Sequence, residues 1–309
     1  MPVHIILATT PQQYDEAFKL RHRVFVEEEN LLHPNPDARI MDRFDAFPST
    51  KILLMYADDK IIGTVRVTQD SEVGIPADAY YDFRQHAPAD ANIVHVGMLC
   101  IEKAFRSMRL MVSILHMVGY IAYSENATHV AAPINPAIAR VTRRIGFRVV
   151  GEPVTEPTIN VPMTPLLLTI SEAHRSFLDF AIHNQLPGFL EDYERSFYEN
   201  GEYVIRAGEQ GQHAYIIVSG SAIVTLPDSE EAIAALGEGE LFGELALITE
   251  ETRSLNVIAD SNLVLMRLSS DTFRRYFYHQ PEKVENVLKL LGRRTRGLIN
   301  QLQITSPKT

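Results

Sequence analysis

LFGELALITEETRSLNV, residues Leu241–Val257, is the most informative stretch of the chain. Gly243 and Glu244 are followed by a predicted helical turn over Glu244–Leu247, and Arg253 comes just before a strand-like run. The start of such a turn presents free backbone N–H groups, where the positive end of the peptide dipoles favours an anion. Gly243 lets a ligand approach the backbone closely, because it has no side chain. The stretch therefore predicts an anion-binding site.

Glu244 and Arg253 suit two neighbouring parts of one ligand. The guanidinium of Arg253 is a planar fork of donors that matches two phosphate oxygens. The carboxylate of Glu244 only accepts hydrogen bonds, for example from a sugar hydroxyl. Phosphate and ribose side by side make a nucleotide, and a cyclic nucleotide holds both in one rigid ring. The alternative is an ordinary surface ion pair in a β protein, which leaves the flanking sequence unexplained.

The same stretch resembles the phosphate-binding cassette of cyclic-nucleotide-binding domains, as in catabolite activator proteins and cyclic-nucleotide-dependent kinases. Phe242–Leu247 and Arg253 carry the likeness, and Gly201–Gly211 and Tyr215–Gly220 resemble the glycine-punctuated strands of the family's β-roll. The resemblance covers about residues 175–303 and implies cyclic AMP or cyclic GMP as an effector. The hydroxyl of Ser254, next to Arg253, would add a contact to phosphate or to a guanine base. The nucleotide-binding residues that it implies are Gly243, Glu244, Leu245, Ala246, Arg253 and Ser254.

The whole chain reads as a soluble, two-domain protein. Its 309 residues are enough for two cores, and 46% apolar with 22% charged residues is typical of a globular composition. The net charge of −10 argues against a general nucleic-acid binder. The single cysteine, Cys100, fits a reducing compartment. No signal peptide and no membrane span are predicted, so we expect a cytoplasmic protein.

The first half of the chain alternates predicted strands and helices. A helix between two central strands indicates a mixed α/β sheet. The predicted strands are Val3–Leu7, Lys51–Tyr56, Lys60–Val67, Ile93–Ile101, His129–Ala132 and Phe147–Val150, and the predicted helices are Gln12–Glu28, Arg106–Tyr123 and Pro136–Arg144.

This order resembles the acyltransferase fold of the GNAT superfamily over about residues 1–165, and within it the acyl-homoserine-lactone and N-acyl amino acid synthases. The likeness rests on Arg23-Val-Phe25 with Glu29, on Asp42–Asp45, on Gly63–Arg66 and on Arg143–Phe147. We therefore expect an α+β chain in two parts. A GNAT-like mixed α/β sheet domain spans 1–168, and a β-roll (jelly-roll-like) cyclic-nucleotide-binding domain with flanking helices spans 169–309.

The resemblance implies an acyl-transfer site, from which this sequence departs at two places. Arg109 and Met111 stand where the superfamily has glycines that cradle the coenzyme A pyrophosphate, which leaves acyl-CoA and acyl-carrier protein both open as donors. His95 stands where the lactone synthases have a glutamate, so it is predicted as the base, or alternatively as a core histidine. The predicted catalytic residues are His95, Glu29 and Arg66, and the predicted acyl-donor residues are Leu99, Cys100, Ile101 and Arg106.

The end of the chain predicts a long helix, Glu282–Leu302, with an apolar stripe that allows a homodimer. No segment for a helix-turn-helix follows this helix, so no DNA partner is expected, and no metal site is predicted. The leading hypothesis is an N-acyltransferase that transfers an acyl group to an amine acceptor under control of the cyclic nucleotide. The alternative is a non-catalytic nucleotide sensor whose first domain keeps only the fold.

Overall fold

A computed structural model describes residues 2–143, 146–172, 194–249 and 251–279, together with residues 284, 288, 289 and 292. The chain divides into two compact units, Ile5–Asp179 and Phe180–Thr309, the latter including Met1–His4. The sequence also predicts a helix over Glu172–Ile182 between the two domains. Most of this helix lies outside the described residues, and so does most of the predicted helix Glu282–Leu302. The expected α+β class is confirmed, because the first unit is a mixed sheet with helices and the second consists mainly of strands.

The first unit is built on one mixed sheet. Its strand order is β1-β2-β3-β4-β5-β8-β6, with β7 paired to β8. β4 and β5 are parallel, whereas β2 and β3, β3 and β4, and the three strands that pair with β8 are antiparallel. The strands are β1 (Val3–Leu7), β2 (Thr50–Ala57), β3 (Lys60–Gln69), β4 (Ile93–Ile101), β5 (His129–Ile134), β6 (Arg148–Val149), β7 (Val154–Glu156) and β8 (Val161–Thr169).

The helices of this unit begin where the sequence supplies caps. Helix α1 (Pro11–His22) starts with a capping box between Thr10 and Gln13. Helix α2 (Met108–Ser124) begins two residues later than predicted, because the Ser107 side chain accepts from the Leu110 amide at 3.3 Å. Helix α3 is Pro136–Arg143. After α1 the chain continues as a π-helix over Arg23–Glu28, where the sequence predicted an unbroken α-helix.

Strand β4 is irregular at its centre. Met98 has φ +52°, and the pairing of β3 with β4 shifts between Thr64 and Arg66. Two residues of β4 therefore oppose one residue of β3, which is a β-bulge. On its other side β4 pairs with β5 over Ile93–His95. Residues Gly97 to Ile101 of β4 continue beyond this paired segment, so β4 and β5 separate next to the bulge.

The second unit is a β-roll of two sheets, with orders β14-β11-β16-β9 and β10-β15-β12-β13. Its core contains Tyr215, Phe242 and Leu265, with the rings of Tyr215 and Phe242 stacked at 5.3 Å. The strands are β9 (Glu194–Tyr198), β10 (Tyr203–Ile205), β11 (His213–Ser219), β12 (Ala222–Thr225), β13 (Ala232–Leu236), β14 (Leu241–Phe242), β15 (Asn256–Ala259) and β16 (Leu263–Ser269), and the helices are α4 (Leu245–Thr249) and α5 (Ser270–His279).

Candidate functional sites

The glycine of the cassette is required by its backbone and by its neighbours. Gly243 has φ +77°, a conformation that L side chains rarely adopt. A Cβ atom there would lie 3.0 Å from both Arg253 Nη1 and Ile205 Cδ1. The chain thus turns from β14 into α4 directly against the arginine, and a larger residue would displace the guanidinium.

Arg253 is held by the backbone on both arms of its guanidinium. Its Nη1 donates to the carbonyl of Gly243 and its Nη2 to the carbonyl of His213, each at 2.5 Å. The residue is 8% exposed. Burial lowers the pKa of Arg253, and the charges of Tyr215, Glu244 and Glu209 act in the opposite direction. The guanidinium is therefore a charged group fixed by the backbone, and these two bonds use two of its five N–H donors.

The other cassette residues surround this arginine in different ways. Glu244 is 2% exposed, and its carbonyl accepts the first hydrogen bonds of α4, from Leu247 and Ile248 at 3.0 and 3.1 Å. Ala246 is buried, whereas Leu245 is 61% exposed. Ser254 is exposed beside Arg253. The structure thus brings Gly243, Glu244 and Arg253 together, and their contacts with a nucleotide remain a prediction.

One side of the sheet in the first unit carries an ionic network that is buried except at Asp42, which is exposed. Arg21 Nη1 donates to Asp45 Oδ1 at 2.9 Å, and Arg66 Nη1 donates to Asp45 Oδ2 at 3.1 Å and to Asp42 Oδ1 at 2.6 Å. Arg21 and Arg66 are 0% and 1% exposed. Burial acts to raise the pKa of Asp42, but the hydrogen bond and charge of Arg66 outweigh it and lower that pKa. We call Arg21, Asp42, Asp45 and Arg66 the ionic cluster.

The ionic cluster retains donors that the protein itself does not use. Among the described residues, Arg21 Nε and Nη2 and Arg66 Nε have no hydrogen-bond partner. Leaving buried donors unpaired costs about 1–3 kcal/mol each. Sequence reasoning missed Arg21. The signal was available, because Arg21 falls on the buried side of α1 with Ala17, Leu20 and Val24, where an arginine is rarely tolerated unless it is paired.

His95 lies on the same face of the sheet as Arg66. Arg66 pairs with Gly97 across the strands, and Gly97 is two residues from His95. A Cβ atom on Gly97 would lie 2.8 Å from His95 Cε1, so the imidazole leans over this glycine. His95 is 3% exposed, and neither ring nitrogen has a partner among the described residues. Burial and the charge of Arg66 lower the pKa of His95 to about 3.

A neutral, buried His95 has a consequence for stability. The unfolded chain protonates this histidine near pH 6.5, whereas the native protein does not do so until about pH 3. The free energy of unfolding therefore falls as the pH drops below about 6.5, by up to about 1.4 kcal/mol per pH unit from this group. We expect His95→Leu to have a shallower acid dependence than wild type in urea unfolding at pH 6.5 and 4.5. An equal change in the free energy of unfolding between the two pH values in both proteins would contradict the buried neutral state. Burial also lowers the pKa of His213, but this residue does not affect the comparison because both proteins contain it.

Glu29 and Arg106, predicted for two different roles, form one ion pair. Arg106 Nη1 lies 2.5 Å from Glu29 Oε1, and its Nε donates to the carbonyl of Ile101 at 2.9 Å. Glu28, the last residue of the π-helix, lies 3.6 Å from Arg106 Nη2 and accepts from the Lys103 amide at 3.0 Å. Glu29 follows directly as the C-terminal cap residue of the π-helix. The loop before α2 is thus tied to the end of the π-helix.

Three of the four predicted donor residues, Leu99, Cys100 and Ile101, lie on β4 beyond the point where it separates from β5, whereas Arg106 lies in the loop before α2. Leu99 is half-buried and Ile101 is 8% exposed. Cys100 packs beside Leu20 and Val24, and burial raises the pKa of its thiol to about 12. The thiol is therefore protonated at neutral pH and points into the core, so a donor at this edge would meet the backbone of Cys100 rather than its sulfur.

Comparison with known families agrees with both halves of the chain. Residues 16–169 match the family model of the N-acyl amino acid synthase FeeM, and residues 195–279 match that of the cyclic nucleotide-binding domain. The chain therefore carries a FeeM-family N-acyl amino acid synthase domain followed by a cyclic nucleotide-binding domain. The resemblances seen in the sequence are confirmed.

Individual relatives cover only parts of the chain. Human cGMP-dependent protein kinase 2 is 34% identical over 97 residues, which are 30% of this chain and 13% of the kinase. The cyclic AMP receptor protein of Thermus thermophilus is 31% identical over 120 residues, 38% of this chain and 56% of that protein. The chain thus spans less than two thirds of either relative. The structure of FeeM from uncultured soil microbes aligns with a TM-score of 0.49 at 18% identity, covering 58% of this chain and all of FeeM.

The described part of the chain contains no helix that is long and apolar enough to cross a membrane.

Proposed function

We propose that the protein is an N-acyltransferase that joins an acyl group to a free amino acid, and that a cyclic nucleotide bound by the second domain sets its rate. The ionic cluster carries the catalytic half of the proposal, because two buried guanidinium groups with unused donors favour an anionic substrate group. Arg253 carries the regulatory half. The proposed domains are residues 1–168 and 169–309.

In this proposal Arg66, assisted by Arg21, binds the carboxylate of the acceptor. A carboxylate satisfies the unused N–H donors of the cluster, which water-free burial would otherwise leave unpaired. The positive charges of the two guanidinium groups also disfavour simple amines, because an ammonium group without a carboxylate is repelled by a guanidinium. The aspartates keep both arginines fixed so that the acceptor does not have to order them.

His95 and Glu29 then handle the proton of the acceptor ammonium in different ways. With a pKa of about 3, His95 is neutral and accepts a hydrogen bond without holding a full charge at neutral pH. In this proposal the carboxylate of Glu29, which is exposed beside Arg106, receives the proton directly or through water. The amine nitrogen attacks the thioester carbonyl carbon, the C–S bond breaks, and the thiolate that departs takes up a proton.

The donor is a thioester of coenzyme A or of acyl-carrier protein, lying along Leu99–Ile101. The unpaired edge of β4 past His95 offers backbone groups to the amide bonds of a phosphopantetheine arm. Arg106 is already neutralised by Glu28 and Glu29, so a donor phosphate has to compete with these carboxylates. This arrangement disfavours the multiply charged nucleotide of coenzyme A and favours a carrier-borne arm.

Saturating cyclic AMP or cyclic GMP is expected to change the acyl-transfer rate at least about five-fold, the lower end of typical coupling free energies. A nucleotide acts in this way only if it prefers one of two conformations of the catalytic domain. The assay follows thiol release from long-chain acyl-CoA and acyl-carrier protein with a panel of free amino acids. The same titration on Arg253→Ala controls for effects unrelated to the site. Equal rates with and without nucleotide would contradict the coupling while leaving acyl transfer intact.

The non-catalytic sensor is distinguished by the same material. It predicts nucleotide binding without transfer to any acceptor, and no rise in melting temperature with acyl-CoA or acyl-carrier protein. The ion pairs that Arg106 forms with Glu28 and Glu29 favour the non-catalytic sensor. Cytoplasmic localisation and a homodimer formed through the C-terminal helix remain part of the proposal.

A further inference from the structure

Tyr80 occupies a position beside the ionic cluster that the proposed mechanism has not used. Its ring packs against the apolar cluster that contains Ile93 and Ala131. Ile93 is two residues from His95 on β4, and Ala131 pairs with His95 at the last paired position of β4 and β5. Side chains at these positions share one face of the sheet. Tyr80 therefore lies on the face that carries His95 and Arg66, close to where the central strands separate.

The hydroxyl of Tyr80 is not used by the fold. The residue is half-buried, and within the described ranges its hydroxyl makes no hydrogen bond to another residue. Its charged neighbours are Glu156 and Arg66: burial and Glu156 raise the pKa of Tyr80, and Arg66 works against them. Glu156 is itself engaged, since its Oε2 accepts the amides of Thr158 and Ile159 at 2.9 and 2.7 Å. The phenol is thus a neutral donor with Arg66 as its nearby cation.

The adjacent residue, Tyr81, is a tyrosine with a structural role and provides a comparison for Tyr80. The hydroxyl of Tyr81 donates to the carbonyl of Val150 at 2.7 Å and lies 2.7 Å from His86 Nε2. Its ring stacks on the imidazole of His86 and packs edge-on against Phe83. Every polar contact of the Tyr81 hydroxyl is therefore satisfied within the domain. Tyr80 differs from it in this one respect, which makes the two residues a matched pair.

We propose that Tyr80 determines acceptor specificity by donating a hydrogen bond from its hydroxyl to the carboxylate of the amino acid that Arg66 binds. This inference rests on the proposed function. A neutral donor beside a guanidinium suits an anion, and an acceptor ammonium is repelled from the same place by Arg66. The phenol distinguishes a carboxylate from a carboxamide, because the ionised oxygen accepts the stronger hydrogen bond.

The test compares Tyr80→Phe with Tyr81→Phe in the full-length protein. The acceptors are the free amino acid that wild type uses fastest and its carboxamide. For Tyr80→Phe we expect kcat/KM to fall about ten-fold for the amino acid and less than about two-fold for the carboxamide, with an unchanged melting temperature. Tyr81→Phe should lower the melting temperature, because it leaves the Val150 carbonyl unpaired, and should keep the preference for the amino acid.

Each other outcome overturns the assignment. A wild-type preference in Tyr80→Phe shows that the hydroxyl does not recognise the carboxylate. An equal loss with both acceptors places the hydroxyl elsewhere in the reaction, and a lowered melting temperature with an unchanged preference makes Tyr80 a structural residue. No transfer by wild type to either acceptor overturns the proposed function and this inference with it, which separates that failure from the others.

Discussion

Replacing Arg253 with alanine is expected to weaken the binding of cyclic AMP and cyclic GMP by about a hundred-fold or more. The guanidinium is the buried cation of the cassette, and the two backbone carbonyls already fix its direction. Truncation removes the charge-assisted hydrogen bonds to phosphate and leaves that anion without a partner. The carbonyls of Gly243 and His213 also lose their donors, at a cost of about 1–3 kcal/mol each, which lowers the melting temperature. Isothermal calorimetry on the folded variant measures the affinity.

Two variants sharpen this experiment. Arg206→Ala removes an exposed arginine of the same domain that stacks on Tyr203 at 3.8 Å, and it should bind nucleotide as wild type does. Arg253→Lys keeps the charge but not the fork, so its affinity should lie between those of wild type and Arg253→Ala. Nucleotide binding at wild-type strength by a folded Arg253→Ala would refute the assignment of the phosphate site.

Arg66→Met is expected to lower kcat/KM for a free amino acid by about a hundred-fold, because a buried charged pair with the substrate carboxylate contributes on the order of 2–5 kcal/mol. Methionine fills much of the volume without offering a donor. Asp45 stays paired with Arg21 at 2.9 Å, so the buried carboxylate is not left alone and the domain should stay folded. Steady-state acyl transfer with circular dichroism as a check on folding measures both properties.

Arg84→Met is the control for this substitution. Arg84 also bridges two aspartates, Asp70 and Asp78, but its side chain is 43% exposed. Losing these exposed pairs costs about 1 kcal/mol or less, and acyl transfer should not change. If Arg66→Met transfers acyl groups as fast as wild type, the ionic cluster only supports the loop that contains Asp42 and Asp45.

The sequence predicted the elements of both domains because their patterns are local. The two runs Lys51–Tyr56 and Lys60–Val67, with a turn signal between them, and the apolar run Ile93–Ile101 predict three strands without reference to the rest of the chain, and the structure confirms them. The cassette was predictable for a related reason. Its glycine, carboxylate and arginine lie close together in sequence, so their spacing alone constrains the ligand.

The proposed acyl-transfer site was less predictable because its residues come together only through tertiary contacts. Arg21 lies far in sequence from Asp45 and Arg66, and its role depends on a pairing between a helix and a loop that periodicity does not reveal. The joining of Glu29 to Arg106 depends on the π-helix, which the apolar pattern of Gln12–Glu28 does not distinguish from an α-helix. The burial of His95, likewise, is set by the loops that cover the sheet.

The two hydrogen bonds that hold Arg253 bear on how quickly the proposed cyclic-nucleotide effector would bind. A side chain that is already oriented does not have to be ordered when the nucleotide arrives, so association should proceed at an ordinary diffusive rate. Differences in affinity between nucleotides then appear as differences in residence time. The duration of a response would be set by the residence time of the nucleotide in the β-roll, rather than by the association rate of the next nucleotide.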